Sequence, residues 1–152
     1  MRIRPAKPAD GPAIREVVRT ALVEHGLPPD PSGTDADLDD VDAFYVARGG
    51  FFAVAVDDDD RVIGTVGVLP IGHGACELRK MYLAKASRGF GFGKRLLDHA
   101  IAEARRLGFT KMELETAAPL RKAMKLYEEN GFRRVERPIS VGRCDRAYER
   151  EI

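Results

Sequence analysis

Between Arg88 and Lys94 the chain reads Arg-Gly-Phe-Gly-Phe-Gly-Lys, so Gly89, Gly91 and Gly93 place three residues without a Cβ at alternate positions. Such a turn can aim successive backbone N–H groups into one concavity. A helix opening there adds its unpaired N–H groups and the positive end of its dipole, and Arg88 and Lys94 flank the turn with fixed positive charge. The chemistry that suits this arrangement is the holding of a phosphate or diphosphate. Spacing excludes two well-known phosphate motifs. A dinucleotide G-x-G-x-x-G beginning at Gly91 would need glycine where Leu96 stands. A P-loop would need glycine in place of Arg88, and Ser or Thr in place of Arg95 after Lys94. A tight strand-to-helix turn with no ligand is the remaining structural reading.

The elements around this turn follow from hydrophobic periodicity. Met1 to Arg4 reads as a short strand. Asp10 is placed to cap a helix whose apolar face is Ile14, Val17, Val18, Ala21 and Leu22, and Gly26 with Pro28, Pro29 and Pro31 ends it. A second helix is expected from about Asp35 to Ala47, capped by Thr34, with Leu38, Val41 and Tyr45 facing inward. The period then shortens. Phe51 to Val56 and Arg61 to Leu69 read as a hairpin around Asp57 to Asp60, a solvated turn that lacks the ligand spacing of a calcium loop. A loop with Pro70, Gly72 and Gly74 leads to a central strand from Ala75 to Leu83.

That strand departs from strict alternation. Cys76, Leu78, Lys80 and Tyr82 would share one face, yet the apolar anchors are Leu78, Met81 and Leu83, and the step of three between Leu78 and Met81 predicts a bulge. A helix from about Phe92 to Leu107 presents Leu96, Leu97, Ala100, Ile101, Ala104 and Leu107, with Gly108 after it. Thr110 to Glu115 reads as a strand with Met112 and Leu114 inward. A helix opened by Pro119 carries Leu120, Ala123, Met124 and Tyr127 and stops at Asn130-Gly131. Phe132 to Val135, and a stretch within Val141 to Glu149, supply the last strands. With no repeat and no linker, residues 1–152 are expected to form one α/β unit.

With the P-loop and dinucleotide patterns excluded, Arg88-x-x-Gly91-x-Gly93 after a strand resembles the pyrophosphate turn of the GCN5-related N-acetyltransferase (GNAT) superfamily. Cys76-Glu-Leu-Arg-Lys-Met-Tyr-Leu83, Ala104-Arg-Arg-Leu-Gly-Phe109, Lys111-Met-Glu-Leu-Glu-Thr116 and Leu126-Tyr-Glu-Glu-Asn-Gly-Phe132 are also similar to that family, and in its order. The strong resemblance covers about Cys76 to Phe132. It implies a mixed α/β (α+β) fold with a mostly antiparallel central sheet, one splayed strand pair and about four flanking helices. It further implies transfer of an acetyl group from acetyl-CoA to a primary amine, a small molecule sooner than a protein. A non-catalytic domain that binds or senses acyl-CoA on the same fold is the alternative.

The family's site residues carry over onto this chain as expectations. Met81, Tyr82, Leu83, Arg88, Gly89, Phe90, Gly91, Phe92, Gly93, Lys94 and Ala123 would hold the cofactor, with the backbone of Met81 and Leu83 on its thioester and pantetheine arm. Tyr127, in Leu-Tyr-x-x-x-Gly-Phe, is the expected acid for the departing thiolate, or else a core tyrosine. Glu77, eleven residues before Arg88, matches the catalytic glutamate of histone-acetylating members, or else pairs with Arg79 or Lys111. The acceptor is left open by two opposed cues: five aspartates between Asp35 and Asp42 favour a cationic amine, whereas Arg143-Cys144-Asp145-Arg146 could bind a carboxylate. His73 and His99 read as surface residues, and His25 could lie near the substrate mouth.

Bulk properties narrow the partners. With 25 Lys+Arg against 24 Asp+Glu the formal net charge is +1, which gives no general field for nucleic acid or membrane. Cys76 and Cys144 form neither a disulfide framework nor a Cys/His cluster, so no metal is expected. The N-terminus has no signal-peptide stretch and no apolar run is long enough to span a bilayer, which reads as cytoplasmic. Pairing through C-terminal strands, frequent in the family, makes a homodimer an expectation.

Overall fold

The run Phe-Phe-Ala-Val-Ala-Val at residues 51–56 is apolar at every position because both faces of the strand it forms are covered. In the computed structural model, which describes all 152 residues, Ala53 and Ala55 join one core and Phe52, Val54 and Val56 another on the opposite face. The sheet between these cores has seven strands: β1 (Arg2–Pro5), β2 (Phe51–Val56), β3 (Val62–Gly72), β4 (Ala75–Leu83), β5 (Lys111–Thr116), β6 (Arg133–Val135) and β7 (Arg146–Glu151). Their spatial order is β1-β2-β3-β4-β5-β7-β6, and all neighbours are antiparallel except β4 and β5. No helix is long and apolar enough to cross a membrane.

Three α-helices cover the faces: α1 (Gly11–Glu24), α2 (Phe92–Arg106) and α3 (Arg121–Glu129). The α2 face of Leu96, Leu97, Ala100, Ile101 and Ala104 is buried with Met112, Leu114 and Tyr127 in the larger core, while Leu107 lies outside it, 38% exposed. On the opposite face Ile14, Val18 and Leu22 of α1 meet Leu38, Val41 and Tyr45. Asp10 precedes α1, but its carboxylate turns back to the Lys7 N–H and to Arg4 (2.7 and 3.0 Å) and makes no cap bond to α1.

The expected second helix is broken. A 3₁₀ turn at Ala36–Asp39 is followed by a π-helical turn at Asp42–Val46, and Asp40 between them is extended, with its carboxylate accepting the Ala43 N–H. Aspartate competes for local backbone donors in this way, and an Asp-rich segment does not sustain one continuous helix. Thr34 does not cap it; Leu38, Val41 and Tyr45 still face inward. The loop expected at Pro70–Gly74 contracts to a tight hairpin at His73-Gly74, and β3 extends through Pro70, opposite Cys76, to Gly72.

The sheet opens in one place. β4 and β5 pair only at Ala75↔Lys111, Cys76↔Met112 and Glu77↔Glu113, and beyond Glu77 they part. β4 stays with β3, and β5 stays with β7 through Thr116.

Candidate active site in the strand fork

The fork is held open by a bulge in β4. The β3–β4 register runs Gly67↔Arg79 and then Thr65↔Tyr82, so Lys80 and Met81 together face the single residue Val66. Lys80 adopts φ 53° at the bulge. The extra residue inverts the side-chain pattern. Cys76, Leu78, Met81 and Leu83 belong to the α2 side, whereas Tyr82 packs in the α1 core and the Lys80 ammonium bonds to Asp37. Lys80 and Tyr82 therefore do not share the face of Cys76 and Leu78. The Ala84 N–H reaches Ile63 on β3, so by alternation the peptide groups of Leu83 and Met81 turn away from β3 and into the fork.

A cavity of about 580 Å³ fills the fork. Met81, Tyr82, Leu83, Arg88, Gly89, Gly91, Phe92, Gly93, Lys94, Ala123 and Tyr127 all line it. Phe90 does not: it is 68% exposed at the tip of the turn, its ring 5.6 Å from that of Phe92. Glu77 does not either, standing at the last residue pair before the strands separate.

At one end of the cavity lies the glycine turn. Gly91 adopts φ 76°, immediately before α2, and a Cβ built there would point into open space. The Arg95 N–H is the first in this segment to find a carbonyl, that of Gly91; the backbone N–H groups of residues 89–94 have no acceptor in the chain. Orphan donors at a helix start, with no side-chain cap, form a socket for an anion. Arg88 does not point its charge there. Its guanidinium donates to the Leu83 carbonyl at 3.0 and 2.8 Å and pairs with Glu24 at 2.7 Å, fastening the turn to β4 and α1. Lys94 is paired on the surface with Asp98.

Tyr127 reaches the cavity from α3. It is buried, its hydroxyl has no hydrogen-bond partner in the chain, and burial holds its pKa well above that of an exposed phenol. The Glu77 carboxylate lies 3.4 Å from the Arg79 Nε, while Lys111 pairs with Glu149 instead. Burial pushes the Glu77 pKa up, against the opposing pull of Arg79. His25 lines the cavity with Nδ1 2.7 Å from the Ala21 carbonyl, which leaves Nε2 as the lone-pair nitrogen of the neutral ring.

The far end is a charged network that sequence reasoning did not assemble. The Lys80 ammonium, 3% exposed, donates to the Asp37 carboxylate at 3.0 and 3.1 Å and the Thr34 carbonyl at 3.2 Å, and lies 3.2 Å from Asp35. Arg143 clasps Asp35 with two bonds of 2.9 and 2.7 Å, and the Tyr45 hydroxyl donates to Asp37. Tyr45 itself lies so close to β3 that a side chain at Gly67 would collide with its ring. Glu115 anchors the 137–141 loop by accepting from the Ser140 N–H and hydroxyl, the Val141 N–H and Arg137. A signal was present in the sequence: lysine among the inward positions of a central strand requires a buried counter-charge.

Comparison with known proteins places this geometry. The family model for the GNAT acetyltransferases matches residues 17–132. The uncharacterised N-acetyltransferase YjgM of Escherichia coli K12 is 39% identical over 132 residues, 84% of this chain and 78% of that protein. An acetyltransferase of the GNAT family from Staphylococcus aureus Mu50 superposes with a TM-score of 0.93 at 24% identity, over 99% of this chain and 98% of that one. A phosphinothricin acetyltransferase of Sinorhizobium meliloti, solved in complex with AcCoA, superposes at 0.79 with 22% identity, over 99% and 88%.

Proposed function

The chain belongs to the GNAT family of acetyltransferases, and from that membership we propose that it moves an acetyl group from acetyl-CoA to the primary amine of a small molecule by direct attack. The observation that carries the cofactor reading is the run of acceptorless N–H groups at 89–94, opening on a cavity that continues between β4 and β5. A diphosphate satisfies those donors, and the narrow fork suits an extended arm threaded through it. Gly89, Gly91 and Gly93 let the backbone approach closely, Phe92, Lys94 and Ala123 flank the arm, and the peptide groups of Met81 and Leu83 face it. A neighbour of the same fold, solved in complex with AcCoA, supports the choice of cofactor.

Acetyl-CoA supplies an activated acyl carbon and a thiolate that departs. The residues of this chain then hold and move protons. The Met81 N–H, turned into the fork, is placed to donate to a carbonyl oxygen and polarise it. Tyr127, kept protonated by burial and without another partner, donates its proton to sulfur as the C–S bond breaks. The amine must lose a proton to attack. Glu77, beneath the fork and raised in pKa, accepts it through water, a role its absence from the cavity wall makes indirect.

The test combines calorimetric titration of CoA with a thiol-release screen of primary amines. Tyr127→Phe is expected to lower kcat about 10²-fold, the usual worth of a positioned acid, with CoA affinity kept within about twofold. A protein that binds CoA yet releases thiol with no amine would instead be a sensor of acyl-CoA. Undiminished turnover in Tyr127→Phe would remove the tyrosine from the mechanism.

A further inference from the structure

The two opposed cues for the acceptor are settled differently once the side chains are placed. Asp35 and Asp37 are consumed by Lys80 and Arg143, so the aspartate-rich segment presents neither of its buried carboxylates free to the cavity. Glu115, the one carboxylate on the cavity wall, is filled at both oxygens by Ser140, Val141 and Arg137. Arg121 and Lys122 also line the wall without a partner but stand exposed, whereas Arg79 is half-buried. It lines the cavity with its side chain only 18% exposed, yet its guanidinium makes no hydrogen bond within the chain. The Phe44 ring lies 5.5 Å to one side, and the Glu77 carboxylate pairs with the Nε at 3.4 Å without forming a hydrogen bond.

The terminal edge of that guanidinium, a planar pair of amino groups matching the two oxygens of a carboxylate, is therefore unspent. Arg143 uses two of its five donors on Asp35 and lines the same cavity. A wall that offers cationic donors and no unfilled carboxylate selects an occupant rich in acceptors. We propose that the acceptor is a primary amine that also carries a carboxylate, of the amino-acid type, and that Arg79 receives the carboxylate. This inference rests on the acetyl transfer proposed above. Arg79 is then a specificity residue: it binds the part of the acceptor that does not react and leaves the amine to the catalytic groups.

The experiment compares amino acids with their primary amides and their decarboxylated amines, by CoA release at saturating acetyl-CoA and by calorimetric binding to the CoA complex of the whole protein. At least one amino acid is expected to exceed both of its partners in kcat/KM by roughly 30-fold, as a charge-assisted bidentate contact allows. Arg79→Gln should reduce that ratio to about threefold through KM, Arg79→Lys should retain part of it, and both variants should bind CoA like the parent. Amides or decarboxylated amines that serve equally well overturn the inference while leaving acetyl transfer intact, as does a preference that survives in Arg79→Gln. Arg79-dependent binding of an amino acid without thiol release supports the carboxylate site and overturns the transfer. Absence of both binding and release overturns the two together.

Discussion

At one end of the cavity the backbone N–H groups of residues 89–94 lack acceptors; at the other, Lys80, Asp35, Asp37 and Arg143 spend their polar atoms largely on one another. The glycine turn comes from a contiguous stretch and owes its shape to left-handed φ values at Gly89 and Gly91. The charged end joins residues 43 and 108 positions apart and owes its shape to tertiary packing. One end is left incomplete for a ligand to fill, whereas the other is completed internally, so that Arg79 stands out beside it. The difference teaches that donors left without partners mark where a ligand belongs, and that saturated charges mark scaffold.

The largest expected effect separates the ends at the glycine turn. Gly91→Val puts a β-branched residue at φ 76° and sets its side chain in the space a phosphate would occupy. With about three charge-assisted N–H bonds lost, CoA affinity should fall at least ~10³-fold. Nothing lies within 4 Å of the added Cβ, so the fold bears only the backbone strain. That strain is about 1–2 kcal/mol, or roughly 2–8 °C in Tm. Calorimetry and a thermal melt read the two quantities, and undiminished CoA binding would break the assignment of this end.

The same contrast decided what the sequence could reveal. The turn was legible because its chemistry is local: glycines at alternate positions ahead of an amphipathic helix carry their meaning without the rest of the chain. The bulge was legible as well, from the step of three between Leu78 and Met81, and the structure places it at Lys80 and Met81. The partners of Arg88 were illegible for a reason of the same kind. Its charge is next to the turn in sequence, but its partners, Glu24 and the Leu83 carbonyl, are set by how α1 and β4 pack. Asp35 and Arg143 suggested a substrate each way because their pairing spans more than one hundred residues. The break at Asp40 escaped periodicity, since Leu38, Val41 and Tyr45 keep a helical spacing through two different turns.

A second substitution asks whether the ends are independent. Asp37→Ala removes the main partner of a lysine that is 3% exposed. Breaking a buried pair from one side costs about 3–5 kcal/mol, and the lower figure applies because Asp35 remains 3.2 Å from the ammonium. A loss of about 3 kcal/mol should lower Tm by roughly 6–12 °C. CoA affinity measured below the transition should stay within about twofold. A fall in affinity that parallels the fall in stability would show that the bulge transmits strain to the fork, and the two ends would then be one cooperative site.

The smallest effect is the share of the pH dependence that Asp35, Glu115 and Glu77 contribute. Burial acts to raise the pKa of Asp35, but Arg143, the Asp30 N–H and Lys80 outweigh it, and the folded value lies below the ordinary one. Glu115 behaves alike: burial is outweighed by the Ser140 and Val141 donors. A depressed folded pKa contributes stability that is present above the unfolded value, near 4, and is lost as pH falls through the folded one. Glu77 has the opposite sign. Its raised pKa binds a proton more tightly in the folded chain, so acidification through that raised value and down to about 4.3 adds stability and offsets part of the loss. The urea midpoint should therefore fall modestly between pH 7 and 3, more steeply in Glu77→Gln and less steeply in Asp35→Asn, whose midpoint at pH 7 is already reduced. An unchanged slope in both variants would mean that the acid response arises elsewhere, with Asp10, whose carboxyl Arg4 also holds below its ordinary pKa, as the next place to substitute.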